Sequence, residues 1–548
     1  MKRKLLSLLS ALLIIAMLLV SCGDANVGQE LPTGDQNTTQ APNSESAPPA
    51  TAPEEEEEPD EGPVVITENY LPAEVFRKMK VLFETGAGSF SAFATNAVPY
   101  AIRDVFTISN CRLKSISIPV YKTHALDNNG NFKITLYEVG NSYEDLKKPF
   151  RKTHTVLVNA EEYGLAPNTE VKRFIKVDLT AYDIVLDADE TLAILSTSDT
   201  LIPGYVSNLA ATNEAAVVMR RDFGVTGFLS KIGTADLNTH TTTLVFDYEM
   251  ERTYETRAAY EAVLQAEADY QARLAAVREA YAGKNLSILG DSISTFTGVS
   301  NSAQTNSTIG GNAVWNTTNL NFNDYTDIYW GQLLEQVEMN LCVCNAWSGS
   351  RVYGYGNGQT TGIDNMLLRS SQLARNDGTT PDVILAYMGI NDLHNGSPEG
   401  SLYSILTNGD TSKTQSEKVG EWFDGVLAKA QKTNGVVIGS TYAGWEEAYA
   451  LSINNMLINY GDAEIYCFTL MKNYNSLCTD EKLERFNTCI RAIVEYFGVG
   501  LIDQQAGIIT EDNFFTYGGD KTALHPSAMG HAAIARHIVN TLYANLED

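Results

Sequence analysis

Residues 285–296 read Asn-Leu-Ser-Ile-Leu-Gly-Asp-Ser-Ile-Ser-Thr-Phe, and this stretch decides how the C-terminal half of the chain is organised. Leu286, Ile288 and Leu289 make a short apolar run of the buried-strand kind, stopped by Gly290. Asp291 and Ser292 then stand where a central strand delivers its C-terminal end, the edge at which open α/β sheets bind ligands. A serine there is a candidate nucleophile. Its hydroxyl is weak alone and needs a base to take its proton and donors to hold the oxyanion that forms.

Those partners follow in order along the chain. After the apolar segment Leu341 to Cys344 comes Asn345-Ala-Trp-Ser-Gly-Ser-Arg351, in which Gly349 offers an unobstructed backbone N–H. After Val383 to Met388 comes Gly389-Ile-Asn-Asp392, which places the Asn391 amide at another strand end. Near the C-terminus, Leu524-His-Pro-Ser527 puts His525 before a proline and a helix-capping serine, so the imidazole projects from the loop that opens the last helix. Taken singly, Gly349 also suits a tight turn, and Asn391 a helix cap or an Asx-turn. His394, His531 and His537 read as packing or exposed histidines without a role.

In this order the blocks resemble the SGNH (GDSL-type) hydrolase superfamily over Lys284 to about Leu546. The phrases Ile288-Leu-Gly-Asp-Ser-Ile-Ser-Thr-Phe296, Trp330-Gly-Gln-Leu333 and Trp347-Ser-Gly-Ser-Arg351 look like the branch common in bacterial secreted members. There is no Gly-x-Ser-x-Gly, so the nucleophile elbow of ordinary α/β-hydrolases is not the pattern. The resemblance implies Ser292 as nucleophile, His525 as base, and the N–H groups of Ser292 and Gly349 with the Asn391 amide as oxyanion hole. It also implies an acid three residues before the histidine, where this chain has Thr522. The nearest carboxylate is Asp520, which a loop bulged by two residues would bring to the imidazole, leaving a Ser-His dyad as the other arrangement.

The start of the chain has a different chemistry. Lys2, Arg3 and Lys4 precede the apolar run Leu5 to Val20, as in a signal peptide, and Leu19-Val-Ser-Cys22 resembles a bacterial lipobox with Cys22 as the acylated residue. Residues 1–22 are therefore expected to be a lipoprotein leader. Residues 23–63, rich in Pro, Thr, Ser, Asn and Gln and ending in the acidic run Glu54 to Glu61, lack the apolar groups for a core and read as an extended, disordered tether. The expected location is extracytoplasmic, lipid-anchored to the bacterial cell membrane. A net charge of -28 makes nucleic acid an improbable partner.

With leader and tether removed, the 548-residue chain still exceeds one domain's usual size. Residues 64–250 carry short β segments: Leu113 to Val120, Phe132 to Val139, Thr155 to Leu157, Phe174 to Leu179, Thr191 to Leu195, Ala216 to Met219 and Thr243 to Tyr248. Turn signals divide them, which predicts a β-sandwich, jelly-roll-like. Joined to a domain that resembles a secreted hydrolase, it looks by analogy like a carbohydrate-binding accessory module, with a spacer as the other reading. Residues 251–283 link the two parts. Thr253 to Tyr281 has no Gly or Pro and an apolar stripe at Tyr254, Ala258, Ala262, Ala266, Tyr270, Leu274, Val277 and Tyr281, predicting one long connecting helix.

In residues 284–548 the strand candidates Leu286 to Leu289, Leu341 to Cys344, Val383 to Met388, Ile465 to Leu470 and Gly500 to Ile502 alternate with helical stretches at Tyr329 to Val337, Ile363 to Ala374, Trp445 to Tyr460, Asp480 to Tyr496 and Ser527 to Leu546. The alternation predicts an α/β fold with a parallel sheet in a flavodoxin-like three-layer arrangement. Gly396 to Tyr442 adds a helix (Gln415 to Gln431) and a β-like run (Val436 to Ser440), read here as a pocket wall or lid.

Seven cysteines occur, and Cys342-Val-Cys344 has no matching pair at metal-ligand spacing, so neither metal nor cofactor is expected. The function expected from the resemblance is a serine esterase releasing acyl groups, acetyl foremost, from carbohydrate. A non-catalytic glycan-binding lipoprotein, or a lipase or thioesterase of the same superfamily, stays open.

Overall fold

The computed structural model describes residues 62–69, 89–92, 100–104, 110–140, 151–195, 201–207, 218–222, 242–243, 247–296, 325–353, 366–408, 410–439, 443–473, 475–506, 524–526 and 528–547, with the single residues 80, 84 and 508. Cys22 and Asp520 lie outside the described residues.

Five strands form the sheet of the C-terminal part: Asn285–Gly290, Asn340–Ala346, Val383–Tyr387, Glu464–Phe468 and Gly500–Ile502. All pair in parallel, in the spatial order second, first, third, fourth, fifth. Every residue of Val383–Tyr387 is buried, and so is Asn285–Gly290 beyond its first residue. Such runs are what a parallel sheet covered on both faces requires. The order reverses at the first strand, which has the second on one side and the third on the other, so Ser292 leaves the sheet at a topological switch point.

The helices Tyr329–Gln336, Trp445–Asn459, Asp480–Phe497 and Ala528–Glu547 fall within two residues of the expected boundaries. The stretch expected as Ile363 to Ala374 is different: among the described residues, helix covers only Met366–Arg369. Ser370 and Ser371 turn their hydroxyls back onto the carbonyls of Leu367 and Leu368, competing with continuation of the helix.

Within the segment expected as a pocket wall or lid, the described helix packs into the domain core. Gln415–Ala428 starts with a capping box of Thr414 and Glu417 and buries Val419, Trp422, Phe423 and Val426 in the domain core. The Phe423 ring meets those of Tyr496 and Phe497 at 6.0 and 5.0 Å. The hairpin Gln431–Thr433 with Val436–Gly439 is held by Asn455, whose side chain accepts from Val437 N and donates to Val437 O, both at 2.8 Å. An amphipathic helix with four large apolar groups gains more from this burial than from standing over a wet cleft.

The N-terminal part contains two antiparallel sheets. One has the order Val64–Asn69, Asp247–Tyr254, Cys111–Thr123, Leu201–Ser207 and Thr242–Thr243, with Ser89–Ala92, Glu170–Asp178 and Val185–Leu186 paired off this path. The other runs Val218–Asp222, Tyr100–Asp104, Glu190–Leu195, Asn131–Gly140 and Lys152–Asn159. Alternate residues of both, such as Ile116, Ile118, Ile134, Leu136, Val156 and Val177, share one apolar core. Each expected β segment overlaps a strand, and the strands Val64–Asn69, Ser89–Ala92, Tyr100–Asp104, Val185–Leu186 and Leu201–Ser207 lie outside those segments.

The linking helix spans Arg257–Tyr281 and starts four residues later than expected. Thr253 and Tyr254 still belong to a strand, paired with Val65 and Val64, and Thr256 caps the helix by accepting from Ala259 N at 3.1 Å. Its buried face also differs. Ala258, Ala262 and Ala266 are exposed, and the stripe runs through Val263, Glu267, Tyr270, Leu274, Val277 and Tyr281. Arg536 on the last helix draws Glu267 inward at 3.0 Å and lies over the Tyr270 ring at 3.5 Å. The lower half of the helix, from Tyr270 onward, belongs to the core of the hydrolase-like domain. Six described cysteines, Cys111, Cys342, Cys344, Cys467, Cys478 and Cys489, are buried free thiols. No helix among the described residues is long and apolar enough to cross a membrane.

Candidate active site

Ser292 opens a single helical turn, Ser292–Ser294, directly after the central strand. Asp291 caps that turn, its Oδ1 accepting from Ile293 N at 3.0 Å. Gly290 is required by close approach, since a Cβ there would stand 2.4 Å from Ser294 Oγ. Ser294 in turn exchanges a hydrogen bond with Tyr329 Oη at 2.8 Å and accepts on its carbonyl from Trp330 Nε1 at 2.9 Å. The serine is thus fixed from its own strand and from the Tyr329–Gln336 helix.

His525 comes to it from the far end of the chain. Its Nε2 lies 2.8 Å from Ser292 Oγ, where an unprotonated nitrogen accepts the hydroxyl hydrogen. Both side chains are buried. Behind the pair, His531 on the last helix stacks on Tyr329 with 5.9 Å between ring centroids. Burial, with the neighbouring His525, pushes His531 down to about 3, so it stays neutral at physiological pH.

Gly349 lies in the turn after the second strand, with φ +78, a conformation that glycine adopts without strain. Ser350 N closes the turn onto Trp347 O at 3.2 Å. Asn391 is in the first turn of the Ile390–Asn395 helix after the third strand. One of its Nδ2 hydrogens goes to Ser350 O at 3.0 Å, which orients the amide against the Gly349–Ser350 turn and leaves Nδ2 a second hydrogen. Ser292, His525, Gly349 and Asn391 therefore stand on connected loops at one edge of the sheet. The fifth residue, Asp520, lies outside the described residues.

Asp392 and Arg369 have no role in the sequence pattern read above, and Asp291 enters it only as the neighbour of Ser292. Asp392 accepts from Val352 N at 2.7 Å, Tyr353 N at 2.9 Å and Ser397 Oγ at 2.9 Å, so it pins the second loop to the third. Burial drives its carboxyl up to about 6, against the pull of those donors. Asp291 is wholly buried and is pushed up to about 7, chiefly by desolvation. Arg369, 2% exposed, reaches under the strand ends. Only the adjacency of Asp392 to Asn391, and a lone arginine in an apolar helical run, hinted at them. Among the described residues no three His, Cys, Asp or Glu converge to hold a metal ion.

A buried serine and histidine in hydrogen-bond contact at the switch point of a parallel five-stranded sheet form the pairing that activates a serine hydroxyl as a nucleophile. The sequence pattern of the GDSL-like Lipase/Acylhydrolase family matches residues 284–434, which include Ser292, Gly349 and Asn391 and end before His525. Over those matched residues the chain carries a GDSL-like hydrolase domain of the SGNH kind. No curated protein matches the chain. Among solved structures, a Bacteroides ovatus protein assigned to the GDSL-like lipases is similar at 22% identity, over 47% of this chain and 96% of its own, with a TM-score of 0.29. A family two carbohydrate esterase from Clostridium thermocellum is similar at 12% identity, over 88% and 99%, with a TM-score of 0.27. A carbohydrate esterase family 2 enzyme with a carbohydrate binding domain, from Corynascus thermopiles, is similar at 11% identity over 88% and 100%, with a TM-score of 0.29.

Proposed function

We propose that this protein is an envelope-anchored serine esterase that removes O-acetyl groups from carbohydrates. The observation that carries the esterase reading is the 2.8 Å contact between His525 Nε2 and Ser292 Oγ at the switch point of a GDSL-family domain. Ser292 Oγ attacks the ester carbonyl while His525 takes its proton. The N–H groups of Ser292 and Gly349, with the Asn391 amide, hold the oxyanion. His525 hands the proton to the leaving alcohol, and water then cleaves the acyl-serine by the same route. Asp520 is the acid that orients the imidazole.

The carbohydrate and location parts of the reading come from the chain's organisation. A lipobox at Cys22, an acidic tether over residues 23–63 and a jelly-roll-like β-sandwich ahead of a flavodoxin-like three-layer hydrolase domain suit an enzyme held at the cell surface and working on polymer. In this arrangement the sandwich holds glycan while the second domain cleaves.

The test is a panel of acetylated glycans and chromogenic esters of rising chain length, given to the soluble form that starts at Pro63. Acetate release from glycans, with short chromogenic esters favoured over long ones, is the expected result. Cleavage confined to long-chain esters would replace this reading with a lipase, and no turnover of any ester with a functional wild-type fold would leave a glycan-binding protein.

A further inference from the structure

We propose that Arg369 is a positioning residue for the oxyanion hole, a buried cation that ties the loops carrying Ser292, Gly349 and Asn391 into one rigid floor. The proposal rests on the esterase reading of this site. Arg369 closes the Met366–Arg369 turn and lies beneath the strand ends. Its Nη1 donates to Gly290 O at 3.0 Å and Asn345 O at 2.8 Å, carbonyls at the ends of two adjacent parallel strands. Its Nη2 donates to Ser350 Oγ at 2.9 Å and touches Met388 Sδ at 3.3 Å, at the end of the third strand.

Two of these contacts fall close to residues of the site. Gly290 is two residues before Ser292, Ser350 follows Gly349, and the Ser350 carbonyl receives the Asn391 amide. The planar fork of a guanidinium fixes the spacing and angle of these groups together, which a lysine's single ammonium does not. The buried cation also offsets the partial negative charge of the strand-end carbonyls that it binds, close to Ser292. Arg369 also acts on the buried carboxyl of Asp291, next to Ser292, favouring its ionised form against desolvation.

Wild type, Arg369→Met, Arg369→Lys and Ser350→Ala are to be compared for kcat and KM on 4-nitrophenyl acetate, per active site, and for the rate at which a fluorophosphonate labels Ser292. In labelling, Oγ bonds to phosphorus as fluoride leaves, and His525 takes the serine proton. A floor displaced by about 1 Å costs about a hundredfold, so Arg369→Met should lose about that in kcat and in labelling rate, with KM little changed. Arg369→Lys should recover part of the loss, and Ser350→Ala should show a smaller one. Variants that melt earlier yet match wild type in kcat and labelling rate would overturn the proposal. If neither Arg369 variant folds, Ser350→Ala decides, and an unchanged kcat and labelling rate there overturns it. If wild type is labelled at Ser292 but cleaves no ester, the esterase reading fails and the labelling rates alone judge Arg369. If it is neither labelled nor active, both fall.

Discussion

His525 Nε2 lies 2.8 Å from Ser292 Oγ across 233 residues of chain, and both groups are buried. A hydroxyl in that position has one role the fold itself does not need. Ser292→Ala should therefore abolish ester hydrolysis while the melting temperature stays close to wild type. His525→Ala should be equally inactive, because the two act as a unit and single losses do not add. Measurable turnover by a Ser292→Ala preparation free of wild type would end the serine mechanism.

Asn391 gives one amide hydrogen to Ser350 O and keeps a second, which the proposed mechanism gives to the oxyanion. Asn391→Ala should lower kcat by about a hundred- to a thousandfold, the usual loss for one oxyanion donor, with a lesser change in KM. Steady-state kinetics on a short ester measures this. A raised KM with kcat held would make Asn391 a ground-state contact instead.

Asp520 stands shortly before His525 in sequence, and the proposed triad uses its charge to orient and steady the imidazolium. Asp520→Asn keeps the shape and removes the charge, and loss of a triad acid reaches about ten-thousandfold in kcat. A variant within a few-fold of wild type, beside an inactive His525→Ala, would mean that the site works as a dyad.

Asp291 supplies a pH signature. Its native carboxyl stands at about 7 against an ordinary value of 3.8, because burial disfavours the charge. Between those values the native state keeps a proton that the unfolded chain has released, so this group's contribution is full below the lower value and is lost as pH rises through the upper one. Asp291→Asn does not titrate. Urea unfolding at several pH values should show the variant gaining on wild type as pH rises from about 4 to about 7. Parallel stability curves would place the Asp291 carboxyl in a wet, ordinary environment.

The linking helix is part of the hydrolase domain through Tyr270, Leu274, Val277 and Tyr281. Leu274→Ala should cost that domain about 2–5 kcal/mol, the range for emptying a buried leucine site. A loss near zero in denaturant melts of the Thr253 to Asp548 fragment would mean that the helix stands clear of the domain.

Some of this architecture is legible because the physics is local. The apolar runs ending at Gly290, Ala346 and Tyr387 are strands buried on both faces, and a parallel sheet leaves no other pattern for them. The turn residues after them, Ser292, Gly349 and Asn391, are then at one sheet edge by topology alone. The linking helix is legible from its composition, but not its start. Whether Thr253 and Tyr254 extend a strand or begin a helix depends on Val64 and Val65, nearly two hundred residues earlier, offering backbone partners.

The sequence by itself determined the strand–loop order and the place of Ser292 directly after the first strand, since periodicity and turn chemistry act between near neighbours. The tertiary structure decided which charges are buried and against what. Glu267 joins the packed face only because Arg536 meets it, and Arg369 reaches the carbonyls of Gly290 and Asn345 only once two strands lie side by side. Gln415–Ala428 became packing and not a lid for the same reason: its apolar face is satisfied by Tyr496 and Phe497, residues that nothing in its own segment announces. Desolvation and charge pairing depend on distances through space, and those exist only after the chain has folded.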